Sequence, residues 1–189
     1  MRTFLAGIAG AIAMFIWASV AHMATPLGEI GVSEVPNDEP VLFALQTAIG
    51  NKDGLYMFPS YGSDTMDAES ETQYEARLRT YPSGLLIYHP PGAEGLTTGR
   101  LLTEFGSDVV ESLVLALILM SVATAAFLPR LAVAAGVGLC AVLATNVSYW
   151  NWYGFPLDYT LAYMATDFVG YLVAGVVILL IAGQARVGR

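Results

Sequence analysis

The chain is poor in charged residues, and this shortage argues against a soluble protein. Only 13% of its 189 residues are charged, whereas soluble domains usually carry about 25%. Hydrophobic residues make up 56% of the chain, and the mean hydropathy is +0.59. This composition indicates a membrane protein.

Basic residues and cysteines are also scarce. Eight lysines and arginines face sixteen acidic residues, which gives a net charge of −8. Nucleic acid requires a basic face, so we predict no nucleic-acid partner. Cys140 is the single cysteine, which excludes an internal disulfide and leaves zinc-ribbon or iron–sulfur sites without their thiolate ligands. His22 and His89 have no metal-motif spacing, and we predict no metal and no other cofactor.

Four apolar stretches are long enough to cross a membrane, which takes about 20 residues. The sequence therefore predicts an α-helical membrane protein with four transmembrane helices and a small α+β extracytoplasmic domain between helices 1 and 2. Helix 1 is expected within residues 1–23, the domain within 24–108, and helices 2–4 within 109–189. The last three spans are expected at 109–128, 131–150 and 164–183, with a start at Asp158 as the alternative for the fourth.

The positions of the arginines predict the orientation. With a cytoplasmic amino terminus, Arg2, Arg130, Arg186 and Arg189 all face the cytoplasm, and no acidic residue does. Lysine and arginine in short loops favour the cytoplasmic side. We therefore expect both termini inside and residues 24–108 outside.

The first apolar stretch has an alternative interpretation. Ser19-Val20-Ala21 resembles a signal-peptidase site, so residues 1–21 are alternatively a cleaved signal. The apolar run is longer than a usual signal core and only Arg2 precedes it, which favours a retained helix.

The polar segment shows a helix–strand–helix–strand pattern. Residues 36–50 read as a short helix that begins at Asn37 or Asp38 and ends at Gly50. Apolar strands follow Gly54 and Gly84. Between them, residues 63–81 read as an amphipathic helix with one apolar side, formed by Met66, Tyr74, Leu78 and Tyr81. This order permits either a parallel crossover or an antiparallel pair.

Polar side chains near the membrane form the first candidate site. Glu111, Asp167, His22 and Asn146 all fall in the outer half of the predicted bilayer, where ionisable groups are expensive and often functional. Tyr163 and Tyr171 share a helix face with Asp167. One interpretation is a site that binds a cation or passes a proton. The alternative is a set of hydrogen bonds that hold the helices together.

Six aromatic residues crowd into residues 146–160, at the turn between spans three and four. Besides Tyr149 they are Trp150, Trp152, Tyr153, Phe155 and Tyr159. Such rings favour the headgroup region, which predicts an aromatic belt at the outer surface. The alternative is a pocket for a quinone, a pigment or a lipid.

Two motifs carry a resemblance to known proteins. ATPLGEIG at Ala24–Gly31 and SYWNWYGFP at Ser148–Pro156 resemble an uncharacterised family of small bacterial inner-membrane proteins with four spans, over most of the chain. The resemblance implies a location in the bacterial inner membrane and no assigned activity.

No catalytic constellation is visible, so we predict a non-enzymatic accessory or scaffolding subunit of a larger membrane complex. Small residues at helical spacing, such as Gly7 and Ala11, suit close helix contacts. Beyond the lipid bilayer, the expected partner is another integral membrane protein or a copy of the chain itself. The alternatives are a small transporter or proton- or cation-handling protein that uses outer-leaflet carboxylates, and a lipid- or quinone-binding protein.

Overall fold

The computed structural model is mostly helical and describes residues 1–62, 67–122 and 126–183. Two compact units divide the chain: a helical unit, Met1–Ser33 with Leu96–Arg189, and an α/β unit, Glu34–Gly95. The elements are, in order, α1 (Arg2–Met23), a 3₁₀ turn (Pro26–Gly28), α2 (Glu39–Ile49), β1 (Gly54–Phe58), α3 (Ala68–Thr80), β2 (Gly84–Tyr88), α4 (Thr98–Ser121), α5 (Phe127–Val142), a π turn (Leu143–Val147), α6 (Ser148–Tyr153) and α7 (Leu157–Ala182).

Three helices of the helical unit are long and apolar enough to cross a membrane. They are Arg2–Met23, Phe127–Tyr153 and Leu157–Ala182, of which the second joins α5, the π turn and α6. These helices are consistent with a membrane protein. The predicted second span, at 109–128, is not among the helices found in the described residues.

The predicted boundaries of the second span were wrong because the apolar run crosses a helix break. Helix α4 begins at Thr98 and ends at Ser121, and α5 begins at Phe127. Pro129 lies in the first turn of α5, where its missing N–H needs no partner. Hydropathy does not register such a break, because both sides of it are equally apolar.

Small residues bring the helices of this unit together. Helix α1 packs against α4 and α7, and α5 packs against α7. The Ser112 hydroxyl on α4 donates to the Gly7 carbonyl at 2.8 Å. A Cβ atom on Gly10 would lie 2.9 Å from Cγ1 of Ile178 on α7. Ala11 is fully buried, so the close approach expected at Gly7 and Ala11 is present.

The α/β unit contains a two-stranded antiparallel sheet, which decides between the two predicted pairings. Gly54 lies opposite Tyr88 and Phe58 opposite Gly84. Helix α3 begins with a capping box formed by Asp67 and Ser70, a common start signal. Helix α2 matches the helix predicted within 36–50, although the Asp38 side chain makes no capping hydrogen bond.

Some residues used in the sequence predictions lie outside the described part of the chain. They are Arg186 and Arg189, which contribute to the predicted orientation, and Met66, which contributes to the apolar side of the helix predicted at 63–81. Residues 63–66, the start of the predicted helix 63–81, fall in the same group.

Candidate functional site

Four carboxyl groups lie together on α4 and α7, and we call them the acidic cluster. Glu104, Asp108 and Glu111 follow one another at one-turn spacing, so they share a face of α4. The fourth member is Asp167 on α7. Asp108 is within electrostatic range of the other three. The fold therefore concentrates negative charge between two packed helices.

Glu111 is held by hydrogen bonds at both of its carboxylate oxygens. The Tyr171 hydroxyl on α7 donates to Oε2 at 2.9 Å, and the Ser107 hydroxyl donates to Oε1 at 3.3 Å. The tyrosine bond links α7 to α4. These neutral donors fix the carboxylate of Glu111 in place.

Asp108 lacks comparable support. It is only 6% exposed, and its Oδ2 atom accepts no hydrogen bond from the described residues. Within the same ranges, the ion pair that the structure contains is Arg79–Glu75, in the α/β unit. A buried carboxylate without a donor or a cation costs free energy. Asp108 is thus the least satisfied member of the acidic cluster.

Asp167 is half-buried and lies well inside α7. Because α7 begins at Leu157, Asp167 is about 15 Å along the helix, and this start lies next to the alternative predicted at Asp158. The Trp17 indole on α1 donates to the Thr166 carbonyl at 2.8 Å. This bond fixes α1 against α7 one residue before Asp167. Glu111 and His22 are both within electrostatic range of Asp167.

The other two predicted residues have different surroundings. His22 is exposed, and its ring meets the Tyr163 ring edge-on at a centroid distance of 5.6 Å. Its Nδ1 is hydrogen-bonded to the Ala18 carbonyl at 2.9 Å. Asn146 is buried in the π turn, and its amide donates to the Val142 carbonyl of the preceding turn. The fold thus groups Glu111, Asp167 and His22, while Asn146 is bonded within its own helix.

Sequence reasoning omitted Asp108, although a signal for it exists. The predicted span began at residue 109, so Asp108 was assigned to the outer domain. The spacing of Glu104, Asp108 and Glu111 places three carboxylates on one helix face. This spacing alone identifies Asp108 as a candidate site residue, whether or not residue 108 is assigned to a span.

A continuous aromatic row leads from the turn between α6 and α7 towards His22. Tyr149 stacks on Phe155 at 5.4 Å, Phe155 contacts Tyr159 at 5.5 Å, and Tyr159 stacks on Tyr163 at 4.5 Å. Tyr163 then meets His22. Two members of the predicted ligand set, Phe155 and Tyr159, therefore already contact neighbouring rings.

The rest of the predicted ligand set is exposed. Trp152 is 78% exposed, and Trp150 and Tyr153 are also exposed. Tyr153 contacts Tyr149 at 5.8 Å. Exposed indole and phenol rings at a helix turn suit a headgroup belt. The structure brings together Phe155 and Tyr159 but leaves the tryptophans at the surface.

The ATPLGEIG motif contacts the start of α7, three residues after the SYWNWYGFP motif ends. Gly31, the last residue of ATPLGEIG, has φ +75° and lies against Tyr159. A Cβ atom there would lie 2.6 Å from the Tyr159 nitrogen, so this approach requires glycine. Upstream, the Thr25 hydroxyl donates to the Ala21 carbonyl at 2.6 Å, which ties the segment to the end of α1.

Among the described residues, no group of three or more His, Cys, Asp or Glu side chains is arranged to hold a metal ion.

Comparisons of the chain with protein-family models, with curated proteins and with solved structures give no match.

Proposed function

We propose that this protein is a four-span membrane protein that binds a small cation at the acidic cluster, as part of proton or cation handling. The observation that carries the proposal is Asp108, a buried carboxyl with an unpartnered oxygen beside three other carboxyl groups. Cation binding offsets the free-energy cost of such an arrangement. Ionisable groups in membrane segments are functional candidates by default.

Helix α4 is the fourth span in this proposal. Its 24 residues extend about 36 Å, enough for a hydrocarbon core about 30 Å thick. Asp108 and Ser112 are both buried, so these polar side chains avoid lipid. A charged helix face is tolerated in a membrane when it faces other helices.

Two arginines support the proposed orientation with cytoplasmic termini. The Arg2 side chain donates to the carbonyl of Ile181 near the end of α7, and Arg130 donates to that of Val122 after α4. Both arginines thus lie at helix ends, where carbonyls lack helical partners. The positive-inside rule assigns the side that carries them to the cytoplasm. The α/β unit is then extracytoplasmic. The family resemblance supports a bacterial inner membrane.

The cation proposal is tested by the thermal stability of the purified protein. We expect the unfolding temperature of the full chain in detergent to depend on pH or on added Na⁺, K⁺, Mg²⁺ or Ca²⁺, because a bound ion stabilises the folded state. Asp108→Asn should weaken that dependence. Glu75→Gln, which removes an exposed carboxylate of the α/β unit, is the matched control and should retain it. An equal dependence in Asp108→Asn and the wild type would overturn the proposal.

The four-span topology is tested by labelling single cysteines. Cys140→Ser removes the native thiol, and Glu75→Cys or Leu128→Cys then adds one on each proposed side. A membrane-impermeant maleimide should label Glu75→Cys in intact cells, but Leu128→Cys only after lysis. The reverse pattern, or labelling of both sites in intact cells, contradicts the topology.

A second candidate function, an accessory or scaffolding subunit, is favoured by exposed apolar side chains of the α/β unit. Phe43 on α2 is 73% exposed, and Leu55 and Ile87, opposite each other in the sheet, are 65% and 71% exposed. Helix α2 has 11 residues and none is buried, and helices this short are marginal in water without packing. A partner protein would cover these side chains.

Purification in mild detergent tests this second candidate. An integral membrane protein should co-purify in a fixed ratio with the wild type and be lost from Phe43→Ser. Thr47→Ser, on the same helix, is the control and should retain it. Recovery of the chain without a partner, at unchanged yield, would count against an accessory role.

A further inference from the structure

The acidic cluster also indicates which cation it binds. We infer that the ion is a proton and that Asp108 binds it, while Glu111 is a positioning residue held in place by two hydroxyl donors. This inference rests on the proposed function, since it names the ion for the same site. It differs from the sequence prediction, in which Glu111 and Asp167 were the candidates and Asp108 was absent.

The hydrogen bonds of Glu111 distinguish its role from that of Asp108. Both oxygens of Glu111 accept hydroxyl hydrogens, from Tyr171 and Ser107. Oδ2 of Asp108 has no such donor among the described residues. The unsatisfied oxygen at this site therefore belongs to Asp108 and not to Glu111.

Asp108 offers one free buried oxygen, which suits a proton better than a metal ion. Its Oδ2 has no hydrogen-bond donor among the described residues. Magnesium takes about six oxygen ligands and calcium about six to eight, whereas a proton needs a single oxygen. In the binding step, a hydronium ion transfers its proton to the Asp108 carboxylate, which forms an O–H bond and leaves water. Release breaks that O–H bond and returns the proton to water.

The other charged groups around Asp108 are consistent with proton binding. On its own helix these are Glu104 and Glu111, and α7 contributes Asp167 and the Tyr171 phenol. Helix α1 contributes His22, which interacts with Asp167. The arginines of the neighbouring helices bond elsewhere, Arg2 to Ile181 and Arg130 to Val122. The immediate surroundings of Asp108 are thus dominated by negative charge, which favours taking up a positive one.

The test is pH-difference infrared spectroscopy on the full chain in phosphatidylethanolamine–phosphatidylglycerol vesicles. We expect protonated-carboxyl C=O bands that grow as the pH falls, and the difference between the wild-type and Asp108→Asn spectra should contain one such band. Glu75→Gln should retain this band, and Na⁺, K⁺, Mg²⁺ or Ca²⁺ added at constant pH should leave it unchanged. Identical carboxyl bands in Asp108→Asn and the wild type would overturn the inference.

A second variant keeps the inference falsifiable if Asp108→Asn does not fold. Tyr171→Phe removes the hydroxyl that donates to Glu111 and leaves Asp108 in place. We expect the Asp108 band to keep its frequency in Tyr171→Phe, because no hydrogen bond joins Asp108 to Tyr171. A band that shifts in a folded Tyr171→Phe protein would assign it to Glu111 and contradict the inference.

Added metal ions separate the inference from the proposed function. If Na⁺ or another metal ion removes the carboxyl band at constant pH, the site binds that metal; the inference fails and the proposed function stands. If neither pH nor any cation affects the wild-type spectrum or its unfolding temperature, both fail.

Discussion

The helical unit and the α/β unit bury their side chains very differently. The helical unit holds a core of small and medium residues, among them Ala6, Leu115, Leu119 and Ile178. In the described part of the α/β unit, Tyr88 is the one buried hydrophobic side chain. That unit depends instead on strand pairing, the capping box of α3, and contacts such as the Tyr61–Tyr74 stack.

This difference shows that an exposed apolar side chain has a different meaning in each unit. On helices that are apolar enough to cross a membrane, exposed leucines suit contact with lipid, which is as apolar as they are. On the α/β unit, exposed leucine, isoleucine and phenylalanine are the kind of apolar surface that a partner covers. The helical unit is therefore expected to respond most to changes in helix packing, and the α/β unit to the loss of single polar contacts.

The largest expected effect comes from a larger residue at the α1–α4 contact. In Gly10→Val the new side chain meets the Ser112 hydroxyl and Ile178. Overpacking of this kind costs about 1–3 kcal/mol, so the unfolding temperature in detergent should fall. Gly136→Val is the matched control, because a Cβ atom there meets nothing within 4 Å. Equal losses in the two variants would mean that α1 and α4 are not packed as described.

A smaller effect is expected at the buried tyrosine of the α/β unit. Tyr88→Phe removes a hydroxyl that donates to the Gly50 carbonyl at 2.8 Å, which should cost about 1 kcal/mol. Amide hydrogen exchange of β1 and β2 in the full chain should become faster. Tyr81→Phe, at a 60% exposed position, should leave the exchange unchanged. Unaltered protection in Tyr88→Phe would show that the sheet does not depend on this bond.

The smallest effect concerns the start of α3 and depends on pH. Hydrogen bonds from the Ser70 backbone and hydroxyl lower the pKa of Asp67 below its ordinary value of 3.8. The charged cap therefore stabilises α3 fully above pH 3.8, and the contribution disappears as the pH falls through the lower, folded-state pKa. NMR shifts of the α3 amides should follow this titration.

Two variants check the role of the Asp67 charge. Asp67→Asn keeps a capping side chain, so α3 should persist at neutral pH without the acid titration. Asp67→Ala should fray the first turn at every pH. A titration that survives in Asp67→Asn would assign it to another acid.

Several elements of the fold were predictable from local patterns. The helix α2, both strands and α3 follow from their turn residues and periodicity, as at Gly50 and Gly54. The end of α4 at Ser121 was not predictable from hydropathy, because the last part of α4 and the start of α5 are equally apolar. The strand pairing also stayed open, since strand, helix, strand order allows both directions.

The candidate site was also only partly predictable from the sequence. Glu111, Asp167 and Tyr171 were identifiable as polar residues near a membrane. The hydrogen bond between Glu111 and Tyr171, 60 residues apart in sequence, required the packing of α4 on α7. Asp108 was missed because its burial depends on that packing, whereas its own sequence neighbourhood is polar.

The sequence by itself determined that this chain is rich in apolar helices, acidic, and free of disulfides, because composition and periodicity act locally along the chain. Only the tertiary structure decided which carboxyl lacks a partner, since hydrogen bonding at Asp108 and Glu111 depends on helices brought together by small residues. The charge on a helix face follows from its amino-acid sequence. The free-energy cost of burying that charge depends on which side chains pack against it.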